Sequence, residues 1–197
     1  MSKIKKTWKK IWHFIWEDNS VWSWIVNIIV AFVLIKFVVY PGLGLMLSTS
    51  HPVVAVVSDS MDHRTNFDEW WVRQEKFYND YDITKEEFLS YGFKNGFNKG
   101  DIMILGGKSA DKISVGEVIV FNSGKPDPII HRVVRKWQDD GKYFFQTKGD
   151  ANIASIKRSD LDETRVSEDQ LIGVSLFKVP WLGWVKIMFV EAINLLR

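Results

Sequence analysis

Apolar and polar residues follow different patterns along the chain, and each pattern predicts a different kind of structure. Residues 21–35 are almost wholly apolar, and a second apolar run follows Lys36 and ends near residue 47. This length of apolar sequence predicts one transmembrane helix, in which the long side chain of Lys36 reaches the membrane interface. We therefore expect a membrane anchor with a membrane-dipping end at 21–47, and a separate folded domain after it.

The segment at 1–20, before the anchor, is basic and amphipathic. Trp8, Trp12 and Trp16 recur at every fourth residue, so that a helix would place them on one stripe suited to lipid headgroups. Five lysines lie within the first ten residues, whereas no Lys or Arg lies between residues 41 and 61. The positive-inside rule therefore predicts a cytoplasmic N-terminus and a domain on the outer face of the cell membrane. A cleaved signal peptide is the alternative, but the apolar run starts late for one and no small-residue cleavage signature follows it.

Between residues 48 and 178 the pattern changes to that of β-strands. Short runs rich in β-branched and aromatic residues are separated by Gly, Pro, Asn or Asp, which predicts a mostly antiparallel, barrel-like β domain. The Asp140-Gly141 pair predicts a two-residue hairpin turn, and counting back along both strands places His131 opposite Asp150 or within a residue or two of it. A register slip of one residue would place these two side chains on opposite faces of the sheet.

An insertion at 62–97 interrupts the strand pattern with two helical segments. The sequence NFDEWWVRQEKFY is amphipathic, and Thr84 and Glu87 form a T-x-x-E capping box before the second helix. A small helical cap packed on the domain is the plainer interpretation. The alternative is a lid or membrane-touching flap that narrows substrate access, because the segment carries many aromatic residues close to Ser60.

The C-terminal segment at 179–197 is apolar but is interrupted by Lys186 and Glu191. A stretch with two charges could be a weak second membrane span, an interfacial helix, or a helix that closes the barrel. We favour a membrane-associated helix that lies at the interface.

Composition excludes several classes of function. The 197 residues carry a net charge of +2, and the charge beyond the N-terminus is nearly balanced, so nucleic acid is a poor partner. Cysteine is absent, which removes disulfides, thiolate catalysis and cysteine-based zinc sites. The four histidines are scattered without metal-ligand spacing. We therefore expect neither a metal nor a cofactor.

Three short motifs carry the candidate chemistry: VVSDSM around Ser60, IIHRVV around His131 and TKGDAN around Asp150. A serine hydroxyl becomes nucleophilic when a neighbouring imidazole accepts its proton, and a carboxylate can then steady the imidazolium. Behind a membrane anchor, this order of groups suggests a serine protease at the bilayer surface. Each residue alone has a plainer interpretation, as a turn cap, a strand histidine and an aspartate that satisfies backbone donors.

Five sequence boxes occur in order: VVSDSM, NKGDIMIL, GEVIVFN, IIHRVV and TKGDAN. Together they resemble the type I signal peptidases, specifically their archaeal and endoplasmic-reticulum branch. The resemblance implies a β-rich catalytic domain that cleaves signal peptides from secreted and membrane preproteins. It implies Ser60 as nucleophile and His131 as base, where bacterial relatives carry a lysine, which disfavours a Ser-Lys mechanism here.

The acid that completes the site is less well defined. Asp150 is the first choice, either to steady the imidazolium or to order the site. In the family a second aspartate typically follows about six residues after this box, but Ile156 occupies that position here. Because the loop is longer, the resemblance leaves Asp160 and Asp162 as alternatives.

Other functions remain open at this point. A processing protease for other exported proteins would keep the fold and change the substrate. A catalytically silent, membrane-tethered β module that binds exported chains is a second alternative, since Asp59 and Asp62 flank Ser60 where the family commonly has glycine and proline. Under the signal peptidase interpretation the partners are preproteins with signal peptides, membrane lipid and the protein-export machinery.

Overall fold

The structure is a computed structural model that describes residues 3–195. It contains two compact units, one ending at Met46 and one beginning at Leu47. The predicted N-terminal segment begins at residue 1 and the predicted C-terminal helix ends at residue 197, so the outermost two residues of each prediction lie outside the described residues. The predicted fold class is confirmed, because the second unit is mostly β and the first is an apolar helical unit.

The N-terminal unit is helical throughout most of its length. Helix α1 (Lys3–Trp16) is followed by α2 (Val21–Leu34), a π-helical turn (Ile35–Val39) and α3 (Tyr40–Met46). The last three form a helix of 26 residues, with a mean hydropathy of 2.3 over a stretch of 18 residues within it, and among the described residues it alone is long and apolar enough to cross a membrane. The π-turn lies just before Pro41, whose ring cannot fit against the carbonyl four residues back in a regular α-helix.

Polar side chains join α1 to α2 inside this unit. The hydroxyl of Ser20 caps α2 by accepting a hydrogen bond from the Ser23 backbone. Ser23 Oγ donates to the Phe14 carbonyl at 2.6 Å, and the Asn27 amide donates to the Ile15 carbonyl at 2.9 Å. These bonds satisfy carbonyls at the end of α1 that have no partner within the helix.

The β domain is built on a curled antiparallel sheet of seven strands in the order β1-β2-β9-β3-β4-β5-β8. Strands β6 and β7 form a separate small hairpin. The strands are β1 (Val53–Ala55), β2 (Ile102–Gly106), β3 (Val118–Phe121), β4 (Ile129–Asp139), β5 (Lys142–Lys148), β6 (Lys157–Arg158), β7 (Leu161–Asp162), β8 (Val166–Ser167) and β9 (Leu171–Val179). Short 3₁₀ helices occur at Ala110–Lys112 and Glu168–Gln170.

Both faces of the central strands are buried. Val118 and Val120 of β3 pack into one apolar cluster with Met61 and Met103, whereas Ile119 and Phe121 pack into a second cluster on the opposite face. Successive side chains of a strand point to opposite faces, so β3 contributes alternately to the two cores. This explains why its sequence is continuously apolar rather than alternating.

The β4–β5 hairpin confirms the predicted turn, and Asp150 lies within the predicted one or two residues of the position opposite His131. Asp140 and Gly141 both have positive φ, of 47° and 77°, as a type I′ turn requires. Asp139 pairs with Lys142 as expected, but a bulge between Val133 and Arg135 shifts the register further along the hairpin. Arg132 therefore pairs with Lys148, and Asp150 lies one residue beyond the partner position of His131. The bulge thus separates the two side chains that simple counting would have brought together.

The insertion forms two helices, α4 (Phe67–Asn79) and α5 (Lys85–Ser90). Thr84 caps α5 as predicted, by accepting a hydrogen bond from the Glu87 backbone. The aromatic residues of the insertion are mostly buried, in a cluster that Val134 of β4 completes: Trp70, Trp71, Tyr78 and Phe88. The aromatic surplus that suggested a membrane-touching flap is therefore used to pack a helical cap on the sheet.

Helix α6 (Trp184–Leu195) ends the described chain. The Gly183 N–H donates to the Gly100 carbonyl at 2.8 Å, and the Trp184 indole lies against Gly100, where any Cβ would meet it at 2.0 Å. Most of the apolar side chains beyond this point are exposed, including those of Val185 and Met188. The helix therefore presents an apolar surface, and its association with a membrane stays a prediction.

Candidate active site

Ser60 and His131 lie in hydrogen-bond contact, although they are far apart in sequence. Ser60 lies in a turn shortly after β1, in which the Asp62 N–H donates to the Asp59 carbonyl at 3.1 Å. His131 lies on β4 and pairs with Ile119 of β3. The distance from Ser60 Oγ to His131 Nε2 is 2.8 Å, which allows the hydroxyl to donate to the imidazole. The structure therefore brings together a serine hydroxyl and a potential base.

The second nitrogen of the imidazole contacts a carboxylate that the sequence analysis missed. His131 Nδ1 forms a short hydrogen bond with Glu163 Oε1. Glu163 is completely buried, and its other contacts hold it in place: Thr147 Oγ1 donates to Oε1 at 3.0 Å, and the Ile156 N–H donates to Oε2 at 2.8 Å. With Nδ1–H bound to the carboxylate, Nε2 carries the lone pair that faces Ser60.

None of the three predicted acids contacts His131. Asp160 lies in the β6–β7 turn, 3.5 Å from Arg158 and 3.9 Å from Lys125. Asp162 is exposed and accepts hydrogen bonds from Thr164. Side chains alternate in direction along β7 and the residue after it, so the Asp162 side chain points to solvent and the Glu163 side chain points inward. This explains why Asp162 does not contact His131. The longer loop does supply a carboxylate to the imidazole, as expected, but it is a glutamate one residue further along.

Asp150 belongs to a different ionic group, on the other face of β4. Arg132 Nε and Nη2 donate to its two carboxylate oxygens at 2.9 and 2.7 Å. Tyr78 Oη donates to Oδ1 at 3.1 Å, and His63 Nε2 lies 3.2 Å from Oδ2. Burial alone would raise the pKa of Asp150, but the Arg132 charge and the hydrogen bonds from His63 and Arg132 hold that pKa below its ordinary value. Asp150 is therefore a buried anion that joins the cap to the sheet.

Arg132 is also completely buried, and backbone carbonyls satisfy the rest of its guanidinium. Nη1 donates to the carbonyls of Gly92 and Gly116 at 2.9 and 2.8 Å, and Nη2 donates to the Phe93 carbonyl at 3.0 Å. Two of these three carbonyls belong to the insertion. A buried ion pair of this kind is stable only when its remaining donors have partners, and here the insertion provides them.

His63 lies three residues after Ser60 in sequence. It is buried and stacks on Trp70, with ring centroids 3.8 Å apart. Trp70 in turn donates from its indole to the Asp150 carbonyl at 3.0 Å. His63 therefore contacts the Asp150 group and α4, whereas Ser60 is bound by a different imidazole.

Lys148 is a buried lysine that lies two residues before Asp150 in sequence. Burial lowers its pKa to about 8. Its ammonium donates to the carbonyls of Gly149 and Asp150 at 3.1 and 3.3 Å and lies over the Tyr78 ring. Among the contacts of the described residues, none joins Lys148 to Ser60 or to His131, so the geometry offers no support for a Ser-Lys pair.

The turn after β5 fixes the backbone around Ser60. The Ala151 N–H donates to the Ser60 carbonyl at 2.8 Å. A Cβ at Gly149 would lie only 2.7 Å from the Ser60 carbonyl oxygen and 2.8 Å from His131 Nε2. Only glycine therefore permits this close approach of the turn to the serine and the imidazole.

Two clefts meet at Ser60. The smaller, of about 230 Å³, is lined largely by apolar residues before Ser60 and before His131, including Val54, Ala55, Ile129 and Ile130. The larger, of about 560 Å³, lies on the other side, and the insertion forms part of its wall. No group of three or more acidic or histidine side chains within residues 3–195 is placed to hold a metal ion.

Comparison with known proteins identifies relatives of similar sequence. No family model matches the sequence. The signal peptidase complex catalytic subunit SEC11 of Pyricularia oryzae is 34% identical over 106 residues, and that of Metarhizium acridum is 36% identical over 110 residues; each match covers 52% of this chain and 62% of the relative. The same subunit of Leptosphaeria maculans is 29% identical over 162 residues, covering 79% of this chain and 73% of the relative. These matches confirm the resemblance of the chain to the type I signal peptidases of the endoplasmic-reticulum branch.

Proposed function

We propose that this protein is a membrane-bound serine endopeptidase that removes signal peptides from secreted and membrane preproteins. The observation that carries the proposal is the continuous chain of hydrogen bonds from Ser60 through His131 to Glu163. A serine, an imidazole and a buried carboxylate in this order form the working parts of an acyl-transfer site. The sequence similarity to catalytic subunits of signal peptidase complexes supports the choice of substrate.

The proposed reaction proceeds through an acyl-enzyme. Ser60 Oγ attacks the scissile carbonyl carbon while its proton moves to His131 Nε2, and the carbonyl π electrons move to the oxygen. Collapse of this intermediate breaks the C–N bond, and the leaving amine takes the proton from His131. A water molecule then repeats the sequence on the ester, releasing the signal peptide acid and restoring the serine. Glu163 stabilises the imidazolium that forms in each half-reaction.

The smaller cleft is suited to the residues before the cut. Its apolar lining suits small side chains on the substrate near the cleavage site, as the resemblance to signal peptidases implies. The chain between β1 and Ser60 can accept an extended segment as an added strand, which would deliver the scissile carbonyl to the hydroxyl. Ser58 and Ser60 both line this cleft, as does His131.

The membrane arrangement that we propose follows from the charges and the anchor. The helix from Val21 to Met46 spans the cell membrane once, with the basic α1 on the cytoplasmic side and the β domain on the outer face. The exposed apolar side of α6 lies at the interface. Because the relatives are named as subunits of a complex, we also propose association with further subunits or with the export machinery.

The test is cleavage of a preprotein by the full chain in lipid vesicles. We expect the wild type to release the mature protein, and Ser60→Ala and His131→Ala to lose activity by about 10³-fold or more. Ser159→Ala, which changes an exposed serine, is the matched control. A folded wild type that binds the preprotein without cleaving it would instead support the silent binding module. Cleavage by Ser60→Ala at the wild-type rate would refute the assignment of the nucleophile.

A further inference from the structure

The larger cleft beside Ser60 differs in chemistry from the apolar cleft. Its lining is polar and charged, with Asp59 and Asp62 from the serine turn and Arg64 and Arg73 from the insertion. Ser60 also lines the apolar cleft on its other side. Ser60 therefore lies between the smaller, apolar cleft and the larger, charged cleft.

An extended substrate must pass from one compartment to the other. If the residues before the cut lie in the apolar cleft, along the chain that leads from β1 to Ser60, the residues after the cut leave on the opposite side of the hydroxyl. An extended chain advances by about 3.3 Å per residue, so the first few residues of the mature protein are within reach of the larger cleft.

The charges in this cleft have no ion-pair partners in the part of the chain that the structure describes. Among the described residues, none of the four charged side chains has an oppositely charged group within 4.0 Å, the limit for a salt bridge. Their hydrogen bonds are local: Asp62 Oδ1 accepts from the Arg64 N–H at 2.8 Å, and Arg73 Nη2 donates to Thr65 Oγ1 at 2.7 Å. Both carboxylates and both guanidinium groups thus keep charge available for a ligand.

The wall that carries the arginines is held in a fixed position. Asn66 caps α4 by accepting a hydrogen bond from the Glu69 backbone at 3.0 Å. Trp70, one helical turn before Arg73, stacks on His63 and donates to the Asp150 carbonyl. A preformed wall can discriminate between ligands, because little ordering is needed when they bind.

We infer that the helical insertion and the serine turn together form a binding site for the first residues of the mature chain, and that this site selects them by charge. The inference rests on the proposed function. The two aspartates lie within two residues of Ser60 in sequence, so they disfavour an acidic residue directly after the cut and favour a basic one. The two arginines come from the insertion and lie further from Ser60 in sequence, and we expect them to favour acidic residues a few positions later.

The experiment compares preproteins that are identical up to the cut and differ only in the mature segment. One set carries Lys or Asp at the first mature position, and a second set carries Lys or Asp at the third to fifth positions. Full-length enzyme in neutral lipid vesicles is given two preproteins in competition, so that the ratio of their kcat/KM values is measured directly. Wild type is expected to prefer Lys in the first set and Asp in the second, by about two- to fivefold per charge.

Charge reversal in the enzyme should reverse each preference separately. Asp59→Lys and Asp62→Lys invert the first preference, whereas Arg64→Glu and Arg73→Glu invert the second. Lys94→Glu, an exposed lysine of the insertion outside the cleft lining, is the matched control and leaves both ratios unchanged. Arg64→Glu is also measured alone, because Arg73 has hydrogen bonds that its replacement would break.

The outcomes separate this inference from the proposed function. If wild type cleaves none of the preproteins, the proposed function fails. If wild type cleaves them but the four substitutions shift the ratios no more than Lys94→Glu does, the binding site for the mature chain is refuted. The preferences should also shrink between about 50 and 500 mM salt, because screening weakens interactions between exposed charges. Ratios that are independent of salt contradict selection by charge.

Discussion

Glu163→Gln is the most direct perturbation of the proposed mechanism, because it removes a charge while almost preserving shape. In the native site, both carboxylate oxygens accept hydrogen bonds: Oε1 from His131 and Thr147, and Oε2 from Ile156. A glutamine offers only one oxygen. Its amide nitrogen must therefore face one of two groups. If it faces the Ile156 N–H, that hydrogen bond is lost; if it faces the imidazole, Nδ1 must accept a hydrogen bond and the tautomer is reversed.

The magnitude follows from these two arrangements. If the amide faces His131, Nδ1 becomes the acceptor and Nε2 carries a proton toward Ser60, so the imidazole cannot act as a base. In another serine protease, the corresponding change of aspartate to asparagine lowers kcat by about 10⁴. If the amide faces Ile156, the imidazole keeps its tautomer but loses the stabilising charge. We therefore expect kcat to fall by about 10² to 10⁴.

Stability should change much less than rate. The substitution removes hydrogen bonds to a charged acceptor, each of which contributes about 1.5–3 kcal/mol, but it also removes a buried charge. The assay is the single-turnover rate of acylation of a signal peptide substrate, with urea unfolding measured in parallel. Glu163→Asp is the companion variant, since it keeps the charge but is shorter by one methylene. A folded Glu163→Gln enzyme with kcat within threefold of wild type would falsify the role of Glu163.

The other predictions concern the residues around the site. Asp150→Asn leaves the Arg132 charge buried without its counter-ion, and we expect a loss of about 3–5 kcal/mol in the free energy of unfolding by urea. Burial lowers the pKa of Lys148 to about 8, so its charged form destabilises the folded protein below that pH, and this cost disappears as the pH rises toward the pKa of the unfolded state. We therefore expect Lys148→Met to raise the free energy of unfolding by urea, relative to wild type, more at pH 7 than at pH 10. Gly149→Ala places a methyl group against His131 Nε2, and we expect kcat to fall at least tenfold while thermal unfolding shows a folded protein. Each prediction has an outcome that would contradict it. These outcomes are an unchanged free energy of unfolding in Asp150→Asn, a stability difference between Lys148→Met and wild type that does not depend on pH, and an unchanged kcat in Gly149→Ala.

The sequence was informative where a local pattern determines the outcome. The apolar run predicted the long helix, the alternating runs predicted the sheet, and Asp140-Gly141 predicted a turn whose positive φ values suit those residue types. The T-x-x-E box predicted the start of α5. These features depend on a few neighbouring residues and on the water or lipid around them, so they can be read without the rest of the fold.

The identity of the acid depended on two features that local patterns do not reveal. A single bulge between Val133 and Arg135 displaces Asp150 from the position opposite His131, and nothing in the strand sequence marks the bulge. Glu163 reaches the imidazole from a loop whose length differs from the family pattern. Its signal was the alternation of Leu161, Asp162 and Glu163, which places the first and third residues on the inner face.

Neighbouring residues of β4 serve separate ionic systems, since His131 faces the serine and Glu163 while Arg132 faces Asp150 and the cap. The backbone of the strand stands between the two systems. Under the proposed function, remodelling of the cap could change substrate preferences without altering the charge of Glu163 beside His131. Evolution or design could therefore exchange the 62–97 segment between relatives, provided that the partners of Arg132 are retained.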